Sequence, residues 1–236
     1  MRRIRVLVVV AVLTAALAPP GAGATSLRPR NPQARGPWLV LDDGRVLIVH
    51  GVNVVDKRPP YVPSRAEFNE ADARLIRSLG LNVVRLGFIW KAFEPTRGRF
   101  DYGYVSRIYD IASMLGRYGI YTLLDFHQDV WNEKYGGEGA PDWAVIDDGA
   151  WTGAEPLVLS GWASRYLTPG LGRAFDNFWE NTDGIQDEYV EAWARVAQWF
   201  KDADWLLGYD LMNEPWPGTE WPAFQTDLFE STRLQP

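Results

Sequence analysis

Residues 206–217, LLGYDLMNEPWP, decide how the rest of the chain reads. An apolar run over 206–212 has the character of a strand, and it stops on Asn213-Glu214-Pro215. Pro215 has no N–H to give a neighbouring strand, so a sheet ladder is expected to end there. The strand then presents an amide and a carboxyl at its carboxyl end, which is where barrels of parallel strands carry their chemistry. Adjacent strand residues point to opposite faces. Asn213 and Glu214 therefore reach one cleft only if the backbone twists out of register at Pro215.

Similar segments recur upstream. Gly51-Val52-Asn53 reads as a first strand running into a polar loop with Lys57, Arg58, Pro59 and Pro60. LNVVRLGF (81–88) reads as a second strand and IYTLLDF (120–126) as a third. Helices fall between them. Ser64 with Glu67 three residues on predicts a capping box, and Phe68, Ala71, Leu75, Ile76 and Leu79 keep helical spacing up to Gly80. A second helix is predicted over 101–118, apolar at Val105, Ile108, Ile111, Ala112 and Leu115, with Gly119 ending it. A third spans about 185–201 on Tyr189, Trp193, Val196, Ala197 and Phe200. Residues 127–184 hold no sustained period and read as a long functional loop. Trp131, Trp143, Trp151, Trp162 and Trp179 argue against disorder there. Near the start, Asp42-Asp43-Gly44 between two apolar runs signals a hairpin. The segment from Thr219 is expected to begin another helix.

Apolar strands alternating with helices predict an α/β fold with a parallel sheet covered on both faces. A doubly wound open sheet and an α/β barrel both fit. No glycine-rich phosphate loop follows the first strand, so a nucleotide-binding sheet ranks last. Four strands make half of an eight-stranded barrel.

Composition narrows the chemistry. A hydrophobic content of 47% supplies a packed core, and a net charge of -6 opposes any nucleic-acid partner. The lack of cysteine removes thiol nucleophiles, disulfides and thiolate metal sites. Two histidines, His50 and His127, without an HExxH pattern cannot make a zinc site alone. The missing GxSxG elbow disfavours a serine hydrolase. The 12 Trp, 10 Tyr and 10 Phe suit sugar-stacking walls, but their number alone favours a core role. Arg2, Arg3 and Arg5, the apolar run 6–17 and Ala22-Gly23-Ala24 predict a signal peptide over 1–24 and a secreted protein. Residues 25–37 read as a linker or tail, and 38–236 as the folded part. No other stretch is apolar enough to cross a membrane.

Polar residues inside apolar strands mark the candidate site. Arg85 sits in the middle of a strand, where an arginine needs partners. It either holds catalytic carboxylates ionised or makes a structural ion pair with Asp125 or Asp210. Gly87 beside it suggests room for a ligand. Asp125, His127 and Asp129 alternate, so they share one face if the strand persists. Glu214, desolvated against Trp216, would suit a general acid. An isolated Asn-Glu-Pro would more often be a turn.

These segments, together with WKAFEPTRGRFD and HGVNVVDKRPPY, resemble glycoside hydrolase family 5 and within it the endoglycoceramidase-type branch. The likeness runs from Trp38 to Gly218. It implies a (β/α)8 TIM barrel, with about the first four β/α units in this chain, and a retaining mechanism that needs no metal or cofactor. It implies Glu214 as acid/base with Asn213, Arg85 and His127 in the catalytic set. It implies Lys57, His127, Asp129 and Asn213 as sugar-binding residues and Trp143 as an aromatic wall. The family's nucleophile is a second Glu on a seventh strand, which is expected to lie beyond residue 236. Glu220 and Glu230 carry no family motif. The implied substrate is a glycolipid or oligosaccharide, with the oligosaccharide–ceramide bond cleaved at a membrane surface. The alternatives are an inactive fragment, a carbohydrate-binding protein, or a cellulase or β-glucosidase of the same family.

Overall fold

The computed structural model describes residues 32–153 and 162–220. The expected signal peptide and all but the first residues of the helix expected from Thr219 lie outside them. In chain order the elements are β1 (Gln33–Arg35), β2 (Trp38–Val40), β3 (Gly51–Val54), α1 (Glu70–Ser78), β4 (Val83–Phe88), α2 (Trp90–Phe93), α3 (Tyr102–Arg117), β5 (Tyr121–Phe126), α4 (Pro169–Trp179), α5 (Ile185–Phe200) and β6 (Leu206–Asp210).

The four expected strands form one parallel sheet in the order β3-β4-β5-β6. This is the first half of the expected barrel wall. The register pairs Asn53 with Arg85, Arg85 with Leu123, and Asp125 with Asp210. A bulge lies between Thr122 and Leu123 opposite β6. Alternate residues Val84, Leu86 and Phe88 are fully buried against the helical layer. Phe88 packs on Phe93, Tyr104 and Phe126 with ring centroids 5.0–5.4 Å apart. Phe126 in turn stacks on Trp193 of α5 at 4.1 Å. The other parity of β4 and β5 is left for Arg85 and Asp125, and this sets up the site.

Helix α3 matches expectation, with Asp101 capping its start and Val105, Ile108, Ala112 and Leu115 buried. Helix α1 does not. Asn69, not Ser64, is its N-cap, in a capping box with Asp72. Ser64 and Glu67 instead close a separate turn, with the Ser64 N–H donating to the Glu67 carboxylate at 2.9 Å. The buried face of α1 is Ala73 and Ile76, while Leu75 and Leu79 are exposed.

Two further segments differ from the sequence reading. Gln33–Arg35, read as part of the tail, pairs antiparallel with β2. The Asp-Gly turn forms, with Gly44 at φ +84, but joins its flanks by a single bridge, Val40 to Val46. The long loop also contains α4. Pro169 opens that helix at N1, and Leu171, Ala174, Phe175 and Phe178 are all buried. Trp131 fills the space between α2 and α4, with Trp90, Phe175 and Phe178 around it. Trp131 is thus a core residue, whereas Trp179 is exposed.

Candidate active site

The site is assembled at the carboxyl ends of β3 to β6. Arg85 is its central cation. Its Nη2 lies 2.8 Å from Asp125 Oδ1 and 2.6 Å from Asp210 Oδ2, and its Nε donates to Asp210 at 2.9 Å. Both ion-pair partners named from the sequence are therefore used. Nη2 also donates to the Asn213 side-chain oxygen at 3.1 Å. Arg85 thus ties β4 to β5 and β6 and orients the amide, and it does not itself pair with the proposed acid/base. The room expected at Gly87 is taken. A Cβ there would lie 2.8 Å from the side chain of Val55.

The alternating polar face persists past the end of β5. His127 Nδ1 is 2.8 Å from Asp125 Oδ2, and Nε2 is 3.8 Å from Asp129 Oδ1. Burial opposes a charge on this ring, but Asp125 and Asp129 outweigh it and push the His127 pKa up to about 9. Lys57 reaches across from the loop after β3 to pair with Asp129. For Asp129, burial works against ionisation, but the nearby His127 ring and the Lys57 ammonium hold its carboxyl below the usual range.

Asn213 and Glu214 meet the geometric condition set by the sequence. The Asn213 N–H donates to the Phe126 carbonyl at 3.0 Å, carrying the β5–β6 pairing past the end of the strand. Glu214 then takes a left-handed backbone, φ 43, which breaks the strand alternation one residue before Pro215. The Asn213 side-chain amide donates to the Gln128 carbonyl at 2.9 Å and to Asp129 Oδ1 at 3.3 Å. The desolvation expected for Glu214 is absent among the described residues, since Glu214 is exposed.

Sequence reasoning missed three residues here. Gln128 donates to the backbone carbonyls of both Asn213 and Glu214, at 2.7 and 3.0 Å. Tyr166, from the long loop, donates to Glu214 Oε2 at 3.2 Å and accepts from the Val130 N–H at 3.0 Å. Glu138 lies beside Lys57 and His127, with its Oε1 3.7 Å from Lys57 Nζ and 3.8 Å from His127 Nε2. Gln128 had a signal in its place inside the DFHQD run, and Glu138 a weaker one in its flanking glycines.

Trp143 is half-buried beside α2. It packs edge-on against Trp90 at 5.2 Å, lies under the Arg97 guanidinium, and donates to the Glu94 carbonyl at 3.1 Å. His127, Asp129 and Glu138 offer ligand atoms within 4.8 Å of one another, a spacing that a divalent ion can span. The Lys57 ammonium already occupies the cation's position among them. A groove of about 580 Å³ between α1 and α3 is lined by Arg65, Glu70, Arg107, Asp110 and Arg117 among others, and shares no residue with the site.

Comparison with known proteins gives a consistent picture. The family model described as cellulase (glycosyl hydrolase family 5) matches residues 60–232. An endoglycoceramidase of Cyanea nozakii is 39% identical over 231 residues, covering 88% of this chain and 45% of that protein. The crystal structure of an endogalactoceramidase superposes with a TM-score of 0.71 at 34% identity, covering 81% of this chain and 45% of the other. Endo-glycoceramidase II from Rhodococcus sp., in a complex with ganglioside GM3, gives 0.66 at 36% identity, over 77% of this chain and 43% of that one. The chain thus spans less than half the length of these relatives.

Proposed function

Because this chain belongs to glycosyl hydrolase family 5, we propose that it carries the acid/base half of a retaining β-glycosidase active site. The observation that carries the reading is Glu214 at the end of β6, turned by its left-handed backbone toward the rim that holds Asn213, Asp129, His127 and Lys57. Glu214 protonates the departing glycosidic oxygen and then takes a proton from the incoming water. Asn213, fixed by Arg85 and the Gln128 carbonyl, exchanges its longer contact to Asp129 for a sugar hydroxyl beside the reacting carbon. Lys57, Asp129 and His127 bind hydroxyls of the sugar ring. Retention requires a second carboxyl group about 5–5.5 Å from the first. That nucleophile is assigned to the part of the relatives' length that this chain does not span.

The substrate class is a glycosphingolipid, cleaved between oligosaccharide and ceramide. The endoglycoceramidase names of the relatives support this choice over cellulose. The residue 1–24 pattern supports export, and a lipid-linked substrate implies contact with a membrane surface.

Comparing Glu214→Gln with the parent in the full-length protein tests the assignment. On a fluorescent ganglioside the variant should lose roughly 10²–10⁴-fold in kcat/KM. On an aryl β-glycoside whose leaving group needs no proton, the first step should survive and aryl release should stop after one equivalent. Unchanged turnover of the ganglioside would remove Glu214 from the role.

A further inference from the structure

Glu138 is among the most buried ionisable groups beside the rim, 4% exposed, and the mechanism above does not use it. Its position is built with care. Asp129 and Glu138 form a two-residue antiparallel bridge, exchanging N–H···O bonds of 2.9 and 3.1 Å, which sets their side chains next to each other. The glycines on either side make that approach feasible. A Cβ on Gly137 would lie 1.7 Å from the Asp129 carbonyl oxygen, and one on Gly139, at φ +135, 2.4 Å from Gln128 Cβ. Glu138 is thus the one residue of Gly137-Glu138-Gly139 with a side chain, and that side chain enters the polar cluster.

The neighbouring cations already have carboxylates of their own, with Glu214 a further negative charge near Lys57. Arg85, Lys57 and His127 face Asp125, Asp129 and Asp210, three cations against three anions. An ionised Glu138 would be a further buried negative charge beside Asp129, facing only cations that Asp129 and Asp125 already hold, which is unfavourable. The Glu138 and Asp129 carboxyl groups offer oxygens within 4.8 Å of one another, and Glu138 Oε1 is buried without a hydrogen-bond partner among the described residues; two carboxyls brought together there share a hydrogen bond only if one holds a proton. Glu138 is the more buried of the two, and Asp129 has the ammonium of Lys57. The proton therefore belongs on Glu138.

We propose that Glu138 is a positioning residue that donates a proton-bearing carboxyl to Asp129, and so holds Asp129 and Lys57 in the arrangement that receives sugar hydroxyls. The sugar-binding part rests on the glycosidase reading above. The groups facing Glu138 are Asp129 and His127 from the end of β5 and Lys57 from the loop after β3, with the Tyr61 hydroxyl further out. Burial, then the Asp129 charge, raises the Glu138 pKa to about 7, against the pull of Lys57 and His127. Above that pH the ionised group repels Asp129 and competes with substrate for Lys57. KM is expected to rise with pH through this window, with kcat unchanged by this group.

The test uses the full-length protein and two substitutions. Glu138→Gln keeps a neutral donor to Asp129, so KM on a fluorescent ganglioside should stay at its low-pH value through neutrality, and the alkaline rise should vanish. Glu138→Ala removes the donor and should raise KM roughly tenfold at every pH. If Glu138→Gln raises KM as much as Glu138→Ala, Glu138 acts as a carboxylate and the proposal fails. Infrared difference spectra with 13C-labelled glutamate give a readout independent of activity. The parent at pH 6 should show a carboxylic-acid C=O band that is lost in Glu138→Gln or on raising the pH to 9. Its absence overturns the proposal even if both variants misfold. A band without any glycosidase activity would overturn the glycosidase reading and leave the protonated contact standing.

Discussion

Arg85 and Glu214 stand on the same rim and are secured by opposite means. Arg85 is four-fifths buried and bound to charged oxygens of Asp125 and Asp210 and to the Asn213 amide. Glu214 is exposed; Gln128 grips its backbone and the Tyr166 hydroxyl touches its carboxylate. The first arrangement fixes three strands through charge. The second fixes the path of the chain and leaves the carboxyl group accessible. On the proposed reading, a proton donor has to meet substrate, which agrees with neutral supports behind Glu214 and a charge-bearing scaffold deeper in the fold.

The contrast can be broken most directly at Arg85. Replacing it with alanine leaves Asp210 without its cation and Asp125 with His127 alone, and the fold should lose about 3–5 kcal/mol. Urea unfolding of Arg85→Ala against the parent measures this. A loss below about 1 kcal/mol would mean that charge does not hold the strands together.

A second effect comes from His127. Its folded-state pKa of about 9 exceeds the ordinary value of 6.5. The stabilisation it brings is complete below pH 6.5 and is lost as pH rises through 9, on the order of 3 kcal/mol in all. Unfolding midpoints should fall across this window, and His127→Asn should flatten the fall. A variant with the parent's slope would place the titration elsewhere.

The smallest effect is expected on the neutral side of the comparison. Tyr166→Phe strips the Val130 N–H of its acceptor and Glu214 of its donor, and should cost about 1–2 kcal/mol of stability. Thermal unfolding checks it. A loss equal to that of Arg85→Ala would erase the distinction between the two kinds of support.

What could be seen in the sequence followed from periodicity. The strands and α3 were visible because one face is apolar and the polar exceptions repeat every second residue, as in Asp125, His127 and Asp129. Arg85 was visible because an arginine amid Val84 and Leu86 demands partners. Helix α4 escaped although Arg173, Asp176 and Glu180 recur along its less buried side, because Gly170, Gly172 and Asn177 interrupt the apolar pattern of its buried face. Asn69 lost to Ser64 as a cap because both fit the pattern, and only the path of the chain after Pro63 decides between them. Tyr166 and Glu138 escaped for a related reason. Their contacts depend on how the long loop returns to the rim, and spacing along the chain does not encode that return. The glycines flanking Glu138 were the available clue.

The left-handed turn at Glu214 also bears on how this protein can change. A backbone at φ 43 disfavours any residue with a Cβ, by roughly 1–2 kcal/mol, and glycine alone escapes that strain. A library selected only for folding should therefore drift toward glycine at position 214. One selected for turnover as well should keep glutamate and accumulate its compensating substitutions elsewhere.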